Sequence, residues 1–359
     1  MKRTRILIAF LALILVCPFC TAQRHGKSHV IGFYNLENLF DTYHDEGKND
    51  YEYLPDGANE WTEAKYQKKL YNMAHVIAAM KKDNGVWHTV LGVSEVENRH
   101  VLEDLVAEPE IAAANYQIVH YDGPDRRGVD CALLYRPDQM TLVESESIPF
   151  TFEGAHDISF EMTPDEQANF RTRDILMVHG IIDGEHFAFY VCHLPSRIGG
   201  KGIDTRARGG QIAYDHACSM MAKYPGIKCI IMGDMNDNPT DDSMAIWMRG
   251  KEKIDEVGPD DFFSPFLSMY KKGYSTLYYR GEGNIYDCIL CNYALAHAEP
   301  GTFQIQPITK KRFYGRVFSK PFMTNQSGQY KGTPFRTFSG GQFIGGYSDH
   351  YPTYIVIKK

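Results

Sequence analysis

The sequence predicts an α/β sandwich in which two packed sheets carry helices on their outer faces. Three observations lead to it: many short β-branched or apolar runs, few helical patterns between them, and no Gly/Ser-rich linker to divide the chain. A length of 359 residues, 43 % hydrophobic and 23 % charged, suits one large folded domain and excludes a disordered tail or a collagen.

The first segment reads as a leader and not as part of the fold. Lys2, Arg3 and Arg5 make a basic start, Ile6 to Val16 is an unbroken apolar run, and Thr21-Ala22 puts small residues before Gln23. The run is shorter than the ~20 residues of a membrane-spanning helix. Residues 1–22 are therefore expected to be a secretory signal, and residues 23–359 one exported domain, periplasmic or extracellular. A lipid anchor on Cys17 or Cys20 ranks second, because Val16 and Phe19 stand where a small residue is wanted. No stable membrane insertion is expected.

Strands are expected at Val30–Tyr34, Thr89–Val93, Ile118–Tyr121, Cys131–Tyr135 and Ile175–Ile182. Further strands are expected at His186–Cys192, Lys228–Met232, Asp287–Cys291 and Thr353–Ile357. Thr62 to Met80 reads as a helix, with Tyr66, Leu70, Met73, Ile77 and Met80 at helical spacing. Asp204–Tyr224 is a second long helix and Val101–Val106 a short one. The stretch from Gly301 to Gly346, rich in Gly, Phe, Tyr, Lys and Arg, is weakly periodic. It reads as a long excursion near the active face.

The formal charge of −7 excludes an overall electrostatic grip on nucleic acid, and removing Lys2, Arg3 and Arg5 would take it to −10. A polyanion would need a local basic pocket or bound cations. Six cysteines follow the leader: Cys131, Cys192, Cys218, Cys229, Cys288 and Cys291. Most lie in apolar strand-like runs, without zinc spacing, so free core thiols are expected.

Polar residues recur where strands end. Asn35 follows VIGFY, Glu95 follows TVLGVS, His193 follows FAFYVC, and Asp234 with Asn236 follows KCIIMG. Asp287 opens DCILC, and Asp349 with His350 precedes the last strand. Singly, each has an ordinary explanation: a turn residue, an exposed acid, a structural histidine. Glu97 reads as an ordinary exposed acid. Together they are hard oxygen donors plus two imidazoles, a set that suits Mg²⁺ or Mn²⁺ and phosphoryl chemistry.

The ordered motifs FYNLENLFD, GVSEVEN, RRGVDCALLY, VCHLPSR, IIMGDMNDNP, YDCILCN and YSDHYP resemble those of the endonuclease/exonuclease/phosphatase superfamily. The resemblance runs from Val30 to Ile357 and implies a four-layer αββα sandwich like deoxyribonuclease I, with two mainly antiparallel mixed sheets. It implies Glu95 as principal metal ligand, Asn35 beside it on metal or phosphate, and Asp349 completing the metal shell. Asp234 and Asn236 would position and activate water, His193 and His350 would flank the phosphate, and Asp287 would orient His350. Arg127 and Arg173 are candidate phosphate contacts, with Arg197 a weaker third.

The implied reaction is metal-dependent hydrolysis of a phosphoester by direct attack of water. A secreted monomeric endonuclease is the first expectation. It rests on the SEVEN and RRGVDCALLY variants, which resemble bacterial extracellular endonuclease-like members, and on the basic residues Lys310, Lys311, Arg312, Arg316, Lys320, Lys331 and Arg336, interleaved with Phe313, Tyr314, Phe318, Phe335 and Phe338. A phosphatase or phosphodiesterase on a small or lipid-linked phosphate is the alternative. A phosphate-binding relic comes last, since no expected core group is missing.

Overall fold

The computed structural model describes residues 27–197, 202–308 and 313–359. The leader at 1–22 and the basic run Lys310, Lys311 and Arg312 lie outside the described residues. The chain forms the expected α/β sandwich of two large mixed sheets.

The strands are β1 (Ser28–Leu39), β2 (Val90–Val96), β3 (Gln117–His120), β4 (Asp130–Tyr135), β5 (Thr141–Ile148) and β6 (Ile175–Ile182). They continue with β7 (Glu185–His193), β8 (Lys228–Asp234), β9 (Gly250–Lys251), β10 (Phe262–Phe263), β11 (Leu277–Tyr279) and β12 (Glu282–Asn284). The last are β13 (Asp287–Asn292), β14 (Gln304–Gln306), β15 (Gly315–Val317), β16 (Phe338–Ser339), β17 (Gln342–Phe343) and β18 (Thr353–Lys358). One sheet has the order β14-β18-β1-β2-β4-β3, with β15 also on β18; the other runs β5-β6-β7-β8-β13-β10-β9. Most pairs are antiparallel, but β1–β2 and β7–β8 are parallel, so each sheet has two neighbouring strands ending on the same side.

Alternation along the strands decides which residues enter the gap between the sheets. Ile31 and Phe33 of β1 join Phe189, Val191, Met232 and Ile289 in the inter-sheet core. Their neighbours Val30, Tyr34, Leu91 and Val93 face outward, under the first helix. That helix, α1 (Glu63–Asn84), buries Tyr66, Leu70, Met73, Ile77 and Met80 and stops at Gly85, whose left-handed backbone closes it on the Lys81 carbonyl. The helix α2 (Arg99–Ala107) starts where Asn98 Oδ1 accepts the Val101 N–H at 3.1 Å. After the short α3 (Pro164–Asn169), α4 (Ile203–Lys223) adds Ile212, Ala213 and Ala217 to the core of the second sheet.

The nine expected strands and three expected helices all form, and β5 is the longest of the strands beyond them. Its TLVESESI sequence is mostly polar, because it is an edge strand with one ladder, to β6, and largely solvated faces. The six thiols are free, with Cys218 half-buried and the rest buried. Among the described residues, no helix is long and apolar enough to cross a membrane.

The excursion is fixed more firmly than its weak periodicity suggests. Strands β14 and β15 pair along one edge of β18, and β16 and β17 form a hairpin whose Phe338 and Phe343 rings meet Trp61. The buried Lys69 of α1 reaches into the excursion, donating to Thr337 Oγ1 at 2.7 Å and the Tyr347 carbonyl at 2.6 Å. Phe313 and Phe318 are buried, and Arg316 and Lys320 both pair with Asp83. Packing and ion pairing thus engage these residues within the fold.

Gly233 is demanded by the close parallel approach of β7 and β8. A Cβ there would stand 2.1 Å from the Cys192 carbonyl oxygen. Gly233→Ala is expected to destabilise the fold by at least ~1–3 kcal/mol, because backbone and not a flexible side chain must move. Urea denaturation measures this, and an unchanged midpoint would contradict the packing described.

Candidate active site

The site lies at one edge of the sandwich, where both sheets end. Register places the groups of the second sheet: His193 stands opposite Asp234 across β7–β8, and Asp287 opposite Asp234 across β13–β8. All three follow inward-facing core positions in the period-2 pattern, so one row of polar groups replaces the last layer of the apolar core. The first sheet answers with Asn35, two residues beyond the inward-facing Phe33.

Glu95 reaches the same space by a different route. Simple alternation would put Ser94, not Glu95, on Asn35's face. A bulge shifts the register between Ser94 and Val96, with Glu95 itself in the left-handed region at φ 59°. Bulges re-aim side chains next to functional sites, and the strained backbone is held by hydrogen bonds around it. The Asn38 N–H donates to Glu95 Oε2 at 3.0 Å. Glu37, Asn38 and Asn236 also have positive φ, so the irregular end of β1, where its register against β2 shifts after Asn35, and the turn after β8 are tightened around this point.

The polar groups are mutually fixed. Asn35 Nδ2 donates to Glu95 Oε1 at 3.2 Å and to Asp234 Oδ2 at 3.0 Å, which links the two sheets. Asp234 Oδ1 accepts the Asn236 N–H at 2.9 Å, and the Asn236 side chain donates to the Leu194 carbonyl at 2.9 Å. His193 Nε2 lies 3.7 Å from Glu95 Oε1 and 3.8 Å from Asp234 Oδ2. His350 Nδ1 meets both Asp287 oxygens at 2.8 and 3.0 Å, leaving Nε2 3.7 Å from Asp234 Oδ2.

Burial and neighbouring charge set the protonation states apart. Burial, together with the positive charges of Arg173, Arg127 and His350, holds His193 well below the usual histidine range, so it is neutral. Burial alone would lower His350 too, but Asp287, Asp234 and Asp349 overcome it and hold it well above that range. Burial raises the Asp234 carboxyl, the His350 charge opposes this, and Asp287 adds to it. The edge thus combines a neutral imidazole, an imidazolium and a carboxylate of raised basicity.

Donor atoms of Glu95, His193 and Asp234 come within 4.8 Å of one another, the span of ligands around one ion. Neither Glu95 nor Asp234 has a lysine or arginine ion pair among the described residues, which also fits a divalent cation. Glu95 and Asn35, both named as candidates in the sequence, lie side by side in this space. Asp349 borders that group: its Oδ2 pairs with Arg336 NH2 at 3.0 Å and its Oδ1 lies 3.8 Å from His350 Nε2.

The arginines also differ from expectation. Arg173 is buried, donating Nε to the His193 carbonyl at 3.1 Å, NH2 to the Leu194 carbonyl at 2.7 Å and NH1 to Asp125 at 3.2 Å. It positions the end of β7, and its donors are directed at protein. Arg197 similarly holds the Asn236 carbonyl at 2.7 Å and pairs with Asp237 and Asp241. Arg127 is half-exposed, 3.5 Å from Asp125.

Two buried acids near the site escaped the sequence reading. Glu37 accepts from Arg336 Nε and the Thr337 N–H, both at 2.8 Å, and so ties the excursion to the turn after β1. Glu97 is 3 % exposed, not a surface acid, and burial beside Asp41 pushes its carboxyl up to about 9. Charge at this spacing was visible in SEVEN and LEN, but the inward turn depends on the bulge.

The comparisons with known proteins agree with this geometry. The family model described as Endonuclease/Exonuclease/phosphatase family matches residues 30–359. The chain belongs to this family. No curated protein sequence matches it. Among solved structures, it is similar to a mannosyl-6-phosphatase of Bacteroides thetaiotaomicron VPI-5482, at TM-score 0.53 and 15 % identity, covering 92 % of this chain and 100 % of that one. The human Nocturnin catalytic domain with bound sulfate matches at TM-score 0.51 and 14 % identity, covering 92 % and 94 % of the two chains. D. rerio TDP2 complexed with a single-strand DNA product matches at 0.50 and 14 %, covering 92 % and 99 %. Such likenesses establish the fold, and family membership makes the chain a phosphoester hydrolase of a typically divalent-metal-dependent class.

Asp287 acts through His350, which gives a direct test. Asp287→Asn is expected to lower the His350 pKa, measured by NMR titration, because it removes the nearest opposing charge. Combined with His350→Ala, it should cost kcat/KM little beyond His350→Ala alone, since the carboxylate has then lost its partner. Full additivity would dismantle the pairing.

Proposed function

We propose that the protein hydrolyses a compact phosphoester by direct attack of water, with Mg²⁺ or Mn²⁺ bound at Glu95, Asn35 and the facing Asp234–His193 pair. The single observation that supports it most is the row His193–Asp234–Asp287 on one sheet facing Asn35 and Glu95 on the other. When bound, the cation supplies charge neutralisation at the phosphoryl oxygens.

The side chains divide the remaining tasks. Asp234, with its raised basicity, takes the proton of the attacking water, and the Asn236 N–H fixes its carboxylate while doing so. The His350 imidazolium, oriented by Asp287, donates to an oxygen of the phosphate as negative charge builds there. His193, kept neutral, adds a donor without repelling the cation. The P–O bond to the leaving alcohol breaks, and phosphate leaves with the oxygen from water.

The substrate reading favours a compact ester over the endonuclease expectation. A cavity of about 750 Å³ adjoins the catalytic edge and shares Asp349 and Arg336 with it. That is the size of a small-molecule site. Arg316 and Lys320, which would have tracked a nucleic-acid backbone, pair with Asp83 instead. The mannosyl-6-phosphatase among the similar structures acts on such a phosphate, by its printed name. We further propose export, on the basic start and apolar run of the leader, as a monomer.

Assays with p-nitrophenyl phosphate, sugar phosphates, bis-p-nitrophenyl phosphate and plasmid DNA test the reading. Turnover of the monoesters with Mg²⁺ or Mn²⁺ is expected to exceed that of the diesters. Faster cleavage of plasmid DNA would restore the endonuclease. Glu95→Gln should lower kcat/KM at limiting metal at least about 100-fold, because even outer-shell partners of metal ligands cost 10–100-fold. Calorimetric titration with Mn²⁺ should show a matching loss of affinity, and wild-type values on both would remove Glu95 from the site.

A further inference from the structure

The cavity beside the catalytic edge is positively charged in a chain that is negative overall. Its walls come from three segments: the β11–β12 hairpin, the run from Asn325 to Pro334, and the turn around β16 and β17. Arg280, Lys331 and Arg336 line it, against Asp349 as the one lining acid among the described residues. The chain as a whole carries −7.

The cations differ in how they are held. Arg336 is fixed by Glu37 and Asp349 at the end of the cavity nearest the catalytic groups. Arg280 lies over the Tyr279 ring at 5.2 Å, and Arg280 and Lys331 have no carboxylate within ion-pair distance among the described residues. Arg316 and Lys320, by contrast, are both paired with Asp83. Two unpaired cations across a walled space are an arrangement that an anionic ligand would complete. Around them, Asn325, Gln329, Thr333 and Ser339 offer amide and hydroxyl groups, and Tyr278 and Tyr330 offer exposed phenol rings. Such a lining suits hydroxyl-rich ligands better than apolar ones.

Resting on the proposed phosphoesterase reading, we propose that the substrate is a small polyhydroxylated phosphoester with a second anionic group, held by Arg280 and Lys331. The scissile phosphate lies at the Asp234–His350 edge, and Arg336 stands between the two anionic positions. The polyol fills the cavity between them. A sugar or cyclitol bearing a second phosphate or a carboxylate has this chemistry, and either group would meet the same two cations.

Calorimetric binding to the full-length metal-loaded protein, in excess Mg²⁺, tests this independently of turnover. The probes are fructose 1,6-bisphosphate, fructose 6-phosphate, 6-phosphogluconate and a single-stranded hexanucleotide. The two doubly anionic sugars are expected to bind at least about tenfold more tightly than fructose 6-phosphate, a difference of ~1.4 kcal/mol. Arg280→Ala with Lys331→Ala should abolish that preference, and the charge-retaining pair Arg280→Lys with Lys331→Arg should restore most of it. Equal affinities in the wild type, or a preference that survives the double alanine variant, would overturn the proposal. So would a hexanucleotide that binds more tightly than the bisphosphate through the same two residues, since the cavity would then hold a nucleic-acid strand. Hydrolysis of p-nitrophenyl phosphate, measured in parallel, reports the reaction centre alone. Its absence would fault the phosphoesterase reading, while turnover without anion preference would fault only this inference.

Discussion

The active edge depends on one amide that joins the two sheets. Asn35 donates from one nitrogen to Glu95 on its own sheet and to Asp234 on the other, while its oxygen accepts the Glu37 N–H. The oxygen's bond fixes the amide against flipping, so the donors must face the carboxylates. An aspartate at this place would set a third negative charge between two others, and a shorter hydroxyl could not satisfy both. The same residue also orders the far end of the chain. Its carbonyl accepts Ser348 Oγ at 2.8 Å, and that hydroxyl accepts the His350 N–H at 3.1 Å. Three elements distant in sequence are thus positioned by a residue at the end of a continuous apolar strand.

Much of this was legible because strand periodicity and site position are the same signal. The runs ending at His193 and Asp234 alternate into the inter-sheet core, so their last polar residues had to face the gap between sheets. Asp287 became legible as His350's partner through the family resemblance, and register explains why: it sits directly across from Asp234. Glu95 was legible as an isolated acid after an apolar run, although strict alternation would have turned it away. Its backbone conformation could not be read from the residues around it.

What escaped notice was governed by tertiary placement. Strand β5 lacks an apolar face because only one neighbour pairs with it. The excursion reads as irregular because its short strands borrow order from β18, and its aromatics from Trp61 and the core. Arginines are the sharpest case. A guanidinium near a strand end reads equally well as a phosphate clamp or as a structural brace. Arg173 and Arg197 are braces, since their donors find backbone carbonyls of the very loops that carry His193 and Asn236. Lys69 shows the same logic, buried in α1 yet fully donated to the excursion and close to Glu37 at 3.9 Å.

The balance of charge at the edge explains why substrate recognition needs the neighbouring cavity. Glu95, Asp234, Asp287 and Asp349 converge here, and the chain opposes them with the His350 imidazolium and with Arg336, which Glu37 also shares. The edge that the side chains build by themselves repels a phosphate dianion. A cation held by Glu95 and its neighbours would reverse that sign locally, but it would treat all phosphoesters alike, because the phosphate is common to them all. Discrimination must therefore come from groups that meet the rest of the molecule. In the proposed reading those groups lie beyond Arg336, on the β11–β12 hairpin and the irregular segments that line the cavity. The proposed division is physical: periodic strands position the reaction centre, and the aperiodic segments beside it would distinguish among the esters that reach it.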